Sequence, residues 1–226
     1  MSIRSRLLVR SAVVLLIMSA MLFLTAGTLR FWEAWVFLAI MFIPMVVFSL
    51  YYSERDPQMA ERRLQGKEKV KEQKVIIIVF QLIFVTAFLI TGFDYRFGWT
   101  RELAGGVPLW LRIVAQGLVL AGYLAAYWVV EVNRFASRTV QVEPGQQLIS
   151  TGLYGLVRHP MYSAIIVMWL FIPVALASYV ALPLFALVIP IFVLRLLSEE
   201  RVLKQELPGY VAYCQKTRFR LIPHLW

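Results

Sequence analysis

The run Arg158-His159-Pro160-Met161-Tyr162 places a guanidinium, an imidazole and a phenol side by side at the start of a long apolar stretch, and charge returns at Glu199-Glu200. Ionisable groups bordering membrane-length apolar segments are costly and mark functional sites. Proline favours the first helical turn and the residue before it is biased to extended backbone, so His159 is expected at the helix cap and Tyr162 in the first turn. Free amides and the positive dipole end of that helix would favour an anion such as a ligand carboxylate, with Arg158 beside it. Plainer roles suit the same residues: Arg158 on a lipid phosphate and His159 as a cap.

The second charged group begins one helical turn earlier. Arg195 precedes Glu199 by four residues and Lys204 follows Glu200 by four, the spacing that lets opposite charges meet on a helix. Adjacent residues diverge by about 100° around a helix. Glu199 and Glu200 therefore face different ways, and one carboxylate can meet a ligand while the other anchors the structure. Arg195, near the end of an apolar span, is the candidate for gripping an anionic acceptor in a bidentate manner; an internal pair with Glu199 is the alternative.

The elements that position these groups are membrane spans. The chain has 226 residues, of which 60% are hydrophobic, and a mean hydropathy of +0.71, well above the apolar share of soluble domains. A span needs about 20 mostly apolar residues. Six candidates fit: Ser11–Leu29, Trp32–Tyr52, Val75–Gly92, Leu109–Val130, Met161–Ala177 and Tyr179–Leu197. The expected fold is all-α, a polytopic bundle whose last two spans form a hairpin through Ser178. That hairpin returns Glu199-Glu200 to the membrane face of Arg158-His159. Pro44, Pro173, Pro183 and Pro190 lie within or near spans, where proline bends helices.

Basic residues set the expected orientation. With the N-terminus in the cytoplasm, 19 of the 23 Lys and Arg fall on the inner side; the outer ones are Arg30, Arg96, Arg101 and Arg112. Both termini then face the cytoplasm, and in a prokaryote the membrane is the inner one. Ser11–Leu29 is longer than a signal-peptide core and reads as a retained anchor. Ser53–Lys74 alternates acids and bases, as an exposed helix near anionic headgroups would, and Trp32, Trp35, Trp99 and Trp110 cluster at outer span ends as interfacial aromatics.

Residues 1–130 read as an N-terminal transmembrane region and 131–226 as the region that carries the chemistry. Glu131–His159 is polar and rich in turn formers, while Ser198–Trp226 opens with an amphipathic helix that Pro208-Gly209 breaks before Tyr210 and Tyr213. Glu131, Asn133 and Arg134 close the fourth span, either facing the site or anchoring the helix end. The single cysteine, Cys214, excludes an intrachain disulfide and a multi-cysteine metal site, and its position does not fit a terminal prenylation signal. No basic patch with interleaved aromatics lies outside the spans, so nucleic acid is not an expected partner.

Taken together, Asn133-x-Phe135, Val140, Gly152-x-Tyr154-x-x-Val157-Arg158-His159-Pro160-x-Tyr162, Glu199-Glu200 and Tyr210-x-x-Tyr213 resemble the isoprenylcysteine carboxyl methyltransferase family and related phospholipid methyltransferases. The resemblance covers the chain from about Val130 onward. It implies S-adenosylmethionine bound on the cytoplasmic side and a lipophilic acceptor arriving laterally from the bilayer. Position by position it puts His159, Pro160 and Tyr162 on the cofactor with Arg158 nearby, and Glu200 or Glu199 at the cofactor's polar end. The backbone near Val140, Gln141, Leu153 and Tyr154 would line the adenosine pocket. Arg195 and Glu199 are the catalytic candidates. Where the family often has glycine two residues after the motif tyrosine, this chain has Ser163-Ala164, still small enough for close approach.

Methyl transfer is an in-line displacement, so positioning and exclusion of water would supply much of the acceleration. A carboxylate or thiolate acceptor needs no general base; an amine must be neutral. Isoprenylcysteine carboxylate, an ethanolamine phospholipid and a thiol all fit as acceptors. Two other functions remain open: an NADPH-dependent membrane reductase of the sterol-reductase type, and a non-enzymatic lipid-binding or transport protein. Against the last, charge gathers at one interface and the mid-bilayer lacks a polar pathway.

Overall fold

A computed structural model describes residues 2–57, 61, 71–133, 142 and 145–226, the side chains of 71–74 excepted. Among them the regular structure is all helix: α1 (Ile3–Ala26), α2 (Trp32–Arg55), α3 (Lys71–Phe97), α4 (Trp99–Ala104), α5 (Leu109–Val132), α6 (Leu153–Leu156), α7 (Pro160–Ala175), α8 (Leu182–Ala186), α9 (Val188–Glu206) and α10 (Tyr210–Lys216).

Five stretches are long and apolar enough to cross a membrane: α1, α2, Val75–Phe97 of α3, α5, and Leu182–Glu206, where α8 runs on into α9. The remaining expected span is shorter. Helix α7 has 16 residues, about 24 Å at 1.5 Å per residue against a hydrocarbon core of about 30 Å. The break between α8 and α9 falls at Leu187, three residues before Pro190, which has no N–H for the Ala186 carbonyl.

The hairpin connection is also longer than one residue. Helix α7 ends at Ala175 and α8 starts at Leu182, with Ala177 in a left-handed conformation. Ser178 is buried in this turn; its hydroxyl donates to Asp94 of α3 and accepts from the Ala181 amide at 3.1 Å. Asp94 also accepts the Thr100 amide at 2.7 Å and the Thr100 hydroxyl. A polar turn that sequence alone marks as loop is thereby fastened to two neighbouring elements.

Close helix packing sets the rest. A Cβ on Gly122 of α5 would lie 2.9 Å from Met168 Cβ and 3.0 Å from the Ala164 carbonyl of α7, so only glycine permits this approach. Small residues let membrane helices pack backbone to backbone. Gly92 of α3 likewise meets Thr25 of α1. Phe88 lies edge-on to Phe185 at 5.3 Å and to Trp169 at 6.4 Å, filling the centre between α3, α7 and α8. The outer surface is apolar: Leu24 is 75% and Leu82 64% exposed, which in aggregate suits lipid rather than water.

Candidate active site

Pro160 opens α7 with His159 as its N-cap residue, as the motif predicts. The segment before it does not stand alone. The Arg158 and His159 amides donate to the Phe219 and Arg220 carbonyls, each at 2.9 Å, and the Ser163 hydroxyl donates to the Leu221 carbonyl at 2.6 Å. The C-terminal segment is thus hydrogen-bonded along the start of α7.

The two glutamates divide as their 100° separation demands. Glu200, 2% exposed, points inward. It accepts from Arg158 Nε at 2.7 Å and from Arg220 Nε at 3.2 Å, lies 3.3 Å from His159 Nε2, and pairs with Lys204 Nζ at 3.6 Å. One terminal nitrogen of Arg158 donates to the Thr217 and Arg218 carbonyls at 3.1 and 3.0 Å. Glu200 and Arg158, expected at the ligand, therefore lock α9, the α7 start and the C-terminal segment together. Buried charges persist where such pairing and hydrogen bonding satisfy them.

Glu199 faces the other way, into a cleft. Its Oε2 accepts from the Tyr162 hydroxyl at 2.7 Å, and the Tyr162 oxygen in turn accepts from Arg195 Nε at 3.2 Å. Arg195, Tyr162 and Glu199 form one chain of charge-assisted hydrogen bonds spanning α9 and α7. The expected Arg195–Glu199 relation runs through the phenol.

The cleft encloses about 80 Å³ and opens to solvent at the bundle end where α5 stops and α7 begins. Its walls include Asn133, Tyr154, His159, Pro160, Tyr162, Glu199, Tyr210 and Tyr213, with Arg158 reaching its edge. Asn133 Nδ2 donates to the Tyr154 hydroxyl at 2.9 Å, and the Tyr213 hydroxyl donates to the Tyr154 carbonyl at 2.7 Å. Burial raises the Tyr154 hydroxyl above its usual range, with the Glu199 charge adding and Asn133 opposing. Burial does the same to Tyr210 and Tyr213. These phenols remain protonated at neutral pH. Burial also pushes the Cys214 thiol up, leaving it a poor nucleophile.

Tyr210 differs from its neighbours. It is 3% exposed and lines the cleft, yet among the described residues its hydroxyl has no hydrogen-bond partner. Such an atom in a cleft calls for a ligand or water to complete it.

The remaining expected residues lie apart. Leu153 precedes Tyr154 in α6 and is not part of the cleft wall. Glu131 accepts from the Tyr52 hydroxyl and pairs with Arg55 at 3.7 Å, an anchor between α5 and α2. Val140, Gln141 and Arg134 fall outside the described residues. Sequence reasoning missed the wall formed by Gln146–Ile149 with Leu203 and Leu207. The turn-forming residue types Pro144-Gly145 in the sequence just before Gln146 were the available signal. Among the described residues no group of three metal-ligating side chains occurs.

Apolar helices of membrane length define a polytopic membrane protein, with a charged cleft gathered at one end of its bundle. Residues 113–205 match the model of the Isoprenylcysteine carboxyl methyltransferase family, in agreement with the resemblance read from the motifs. The match takes in most of α5, all of α7 and both glutamates and stops short of Tyr210. An uncharacterized protein of Bacillus subtilis, YpbQ, is 24% identical over 173 residues, covering 71% of this chain and 96% of its own.

Proposed function

We propose that the protein transfers a methyl group from S-adenosylmethionine to a lipophilic or membrane-delivered acceptor at the α7–α9 cleft. The observation that carries this reading is the Tyr162–Glu199 pair on a cleft wall shared with His159 and Pro160, all inside the region matching the methyltransferase family.

The donor set fits the cofactor. Glu199 and the unpartnered Tyr210 hydroxyl suit its ammonium or ribose hydroxyls, and the α7 N-terminus suits its carboxylate. At about 80 Å³ the cleft takes part of such a molecule and its open mouth takes the rest. When bound, the cofactor supplies an electrophilic methyl group on a sulfonium. The chain's part is positional: Glu200 and Arg158 hold the α7 start rigid, Tyr162 fixes the Glu199 carboxylate, and the phenol-rich wall restricts water. Arg195, held on Tyr162 at the end of the apolar span, orients an anionic acceptor entering from the bilayer. The 19-to-4 distribution of basic residues supports a cleft on the cytoplasmic side, of the inner membrane in a prokaryote.

Calorimetry on protein in lipid nanodiscs tests the reading. Binding of S-adenosylmethionine, with transfer of labelled methyl to a membrane extract, is expected. Binding of NADPH in its place would indicate a reductase, and binding of neither a non-enzymatic role; either overturns it. Mass spectrometry of the labelled product identifies the acceptor.

A further inference from the structure

A second polar cavity, of about 180 Å³, lies at the opposite end of the bundle between the start of α2, the α3–α4 junction, the Gly105-Gly106 loop and the start of α5. Glu33 and Arg112 both line it and pair with each other through Glu33 Oε1 and one terminal nitrogen of Arg112. Glu33 is 1% exposed, yet among the described residues its other oxygen, Oε2, has no hydrogen-bond partner, and Arg112 Nε is likewise buried without one. The pair thus leaves one acceptor and one donor unmet at the wall of the cavity.

Asp94, the other acid on the wall, is not available in the same way. Its two oxygens take the Thr100 amide, the Thr100 hydroxyl and the Ser178 hydroxyl. A cation held by several carboxylates therefore does not suit the cavity. What remains asks for a ligand that donates hydrogen bonds to Glu33 and offers negative charge to Arg112, with Arg101 also on the wall.

The surroundings indicate the source of such a ligand. Trp32, Trp35 and Trp110, between 40% and 66% exposed, stand at this end of the bundle, and the Arg112 guanidinium lies 5.9 Å from the Trp32 ring centroid. Exposed tryptophans of this kind sit at lipid headgroup level. The geometry points to this cavity as a binding site for an ethanolamine phospholipid headgroup, its primary ammonium on Glu33 and its phosphate on Arg112. A choline headgroup has no N–H to give the Glu33 oxygen, and a purely anionic headgroup would meet that carboxylate unfavourably. The site is separate from the α7–α9 cleft and independent of its chemistry.

Native mass spectrometry of the full chain, released from nanodiscs containing equal fractions of ethanolamine, N,N-dimethylethanolamine, choline and glycerol phospholipids, tests the assignment. Retention should favour ethanolamine over choline by about tenfold or more, as loss of a hydrogen bond to a charged group implies, and fall stepwise as N–H groups are replaced by methyl. Glu33→Gln should erase the preference; should that variant not fold, Arg112→Gln, expected to lower retention of the ethanolamine lipid, takes its place, because an ethanolamine lipid seated in the α7–α9 cleft would keep its preference in either variant. Excess soluble glycerophosphoethanolamine should displace the retained lipid only weakly. Equal retention of ethanolamine and choline lipids, retention of none, as for a water-filled cavity, or tight binding of the soluble headgroup without the lipid would each overturn the proposal.

Discussion

The Tyr162 hydroxyl donates to Glu199 Oε2 at 2.7 Å, joining the first turn of α7 to the last turns of α9 across the cleft wall. This bond separates the roles of two adjacent acids, because Glu200, one residue on, is turned away into four basic partners.

Glu199→Gln and Tyr162→Phe are each expected to weaken S-adenosylmethionine binding about tenfold or more, with a fall in thermal midpoint smaller than that of Glu200→Ala. A hydrogen bond to a charged group contributes about 1.5–3 kcal/mol. Calorimetry paired with thermal denaturation in detergent measures both quantities. Unchanged affinity in both variants would remove the pair from the site.

Glu200→Ala should act on the fold instead. It leaves Arg158 buried without its carboxylate and releases Arg220, and breaking a buried pair from one side costs about 3–5 kcal/mol. A lowered thermal midpoint is expected, with faster hydrogen exchange over 217–221, the segment whose carbonyls Arg158 and His159 hold. A stable Glu200→Ala protein that fails only in cofactor binding would contradict this.

Tyr210→Phe deletes the hydroxyl that lacks a partner among the described residues. Stability without ligand should stay level or rise slightly, since nothing is broken and an unmet polar group is removed. Affinity for S-adenosylmethionine should drop by about tenfold, a factor equal to about 1.4 kcal/mol. If affinity is unaltered, the hydroxyl serves only water.

Gly122→Val drives a side chain into Met168 and the Ala164 carbonyl. Overpacking of this kind costs about 1–3 kcal/mol. Because α5 delivers Asn133 to the cleft wall and α7 carries Pro160 and Tyr162, cofactor affinity should fall together with the thermal midpoint, and Gly122→Ala should show a smaller version of both changes.

Several features were legible from residue order alone. Apolar stretches of membrane length announce helices because lipid offers no partner for backbone amides, and Pro160 marks a helix start because its ring presets that geometry. A hairpin between Arg158 and Glu199-Glu200 brings them to one face whatever the packing details. The match of α7's small Ala164 to Gly122 of α5 was foreshadowed only as room for close approach.

Other features depended on the folded chain. Which glutamate faces the cleft follows from the rotation of α9 against α7, and residue types on α9 do not encode that rotation. Docking of residues 219–221 against 158–163 runs largely through backbone carbonyls, which every residue possesses and no sequence pattern reports. Glu33 and Arg112 are 79 positions apart, and Asp94 and Ser178 are 84; each pair exists only because helix packing brings separate elements together. Sequence alone determined that charge gathers where α7 starts and α9 ends, since burying it in lipid is prohibitive. Tertiary structure decided which of those charges are spent on one another and which remain for a ligand.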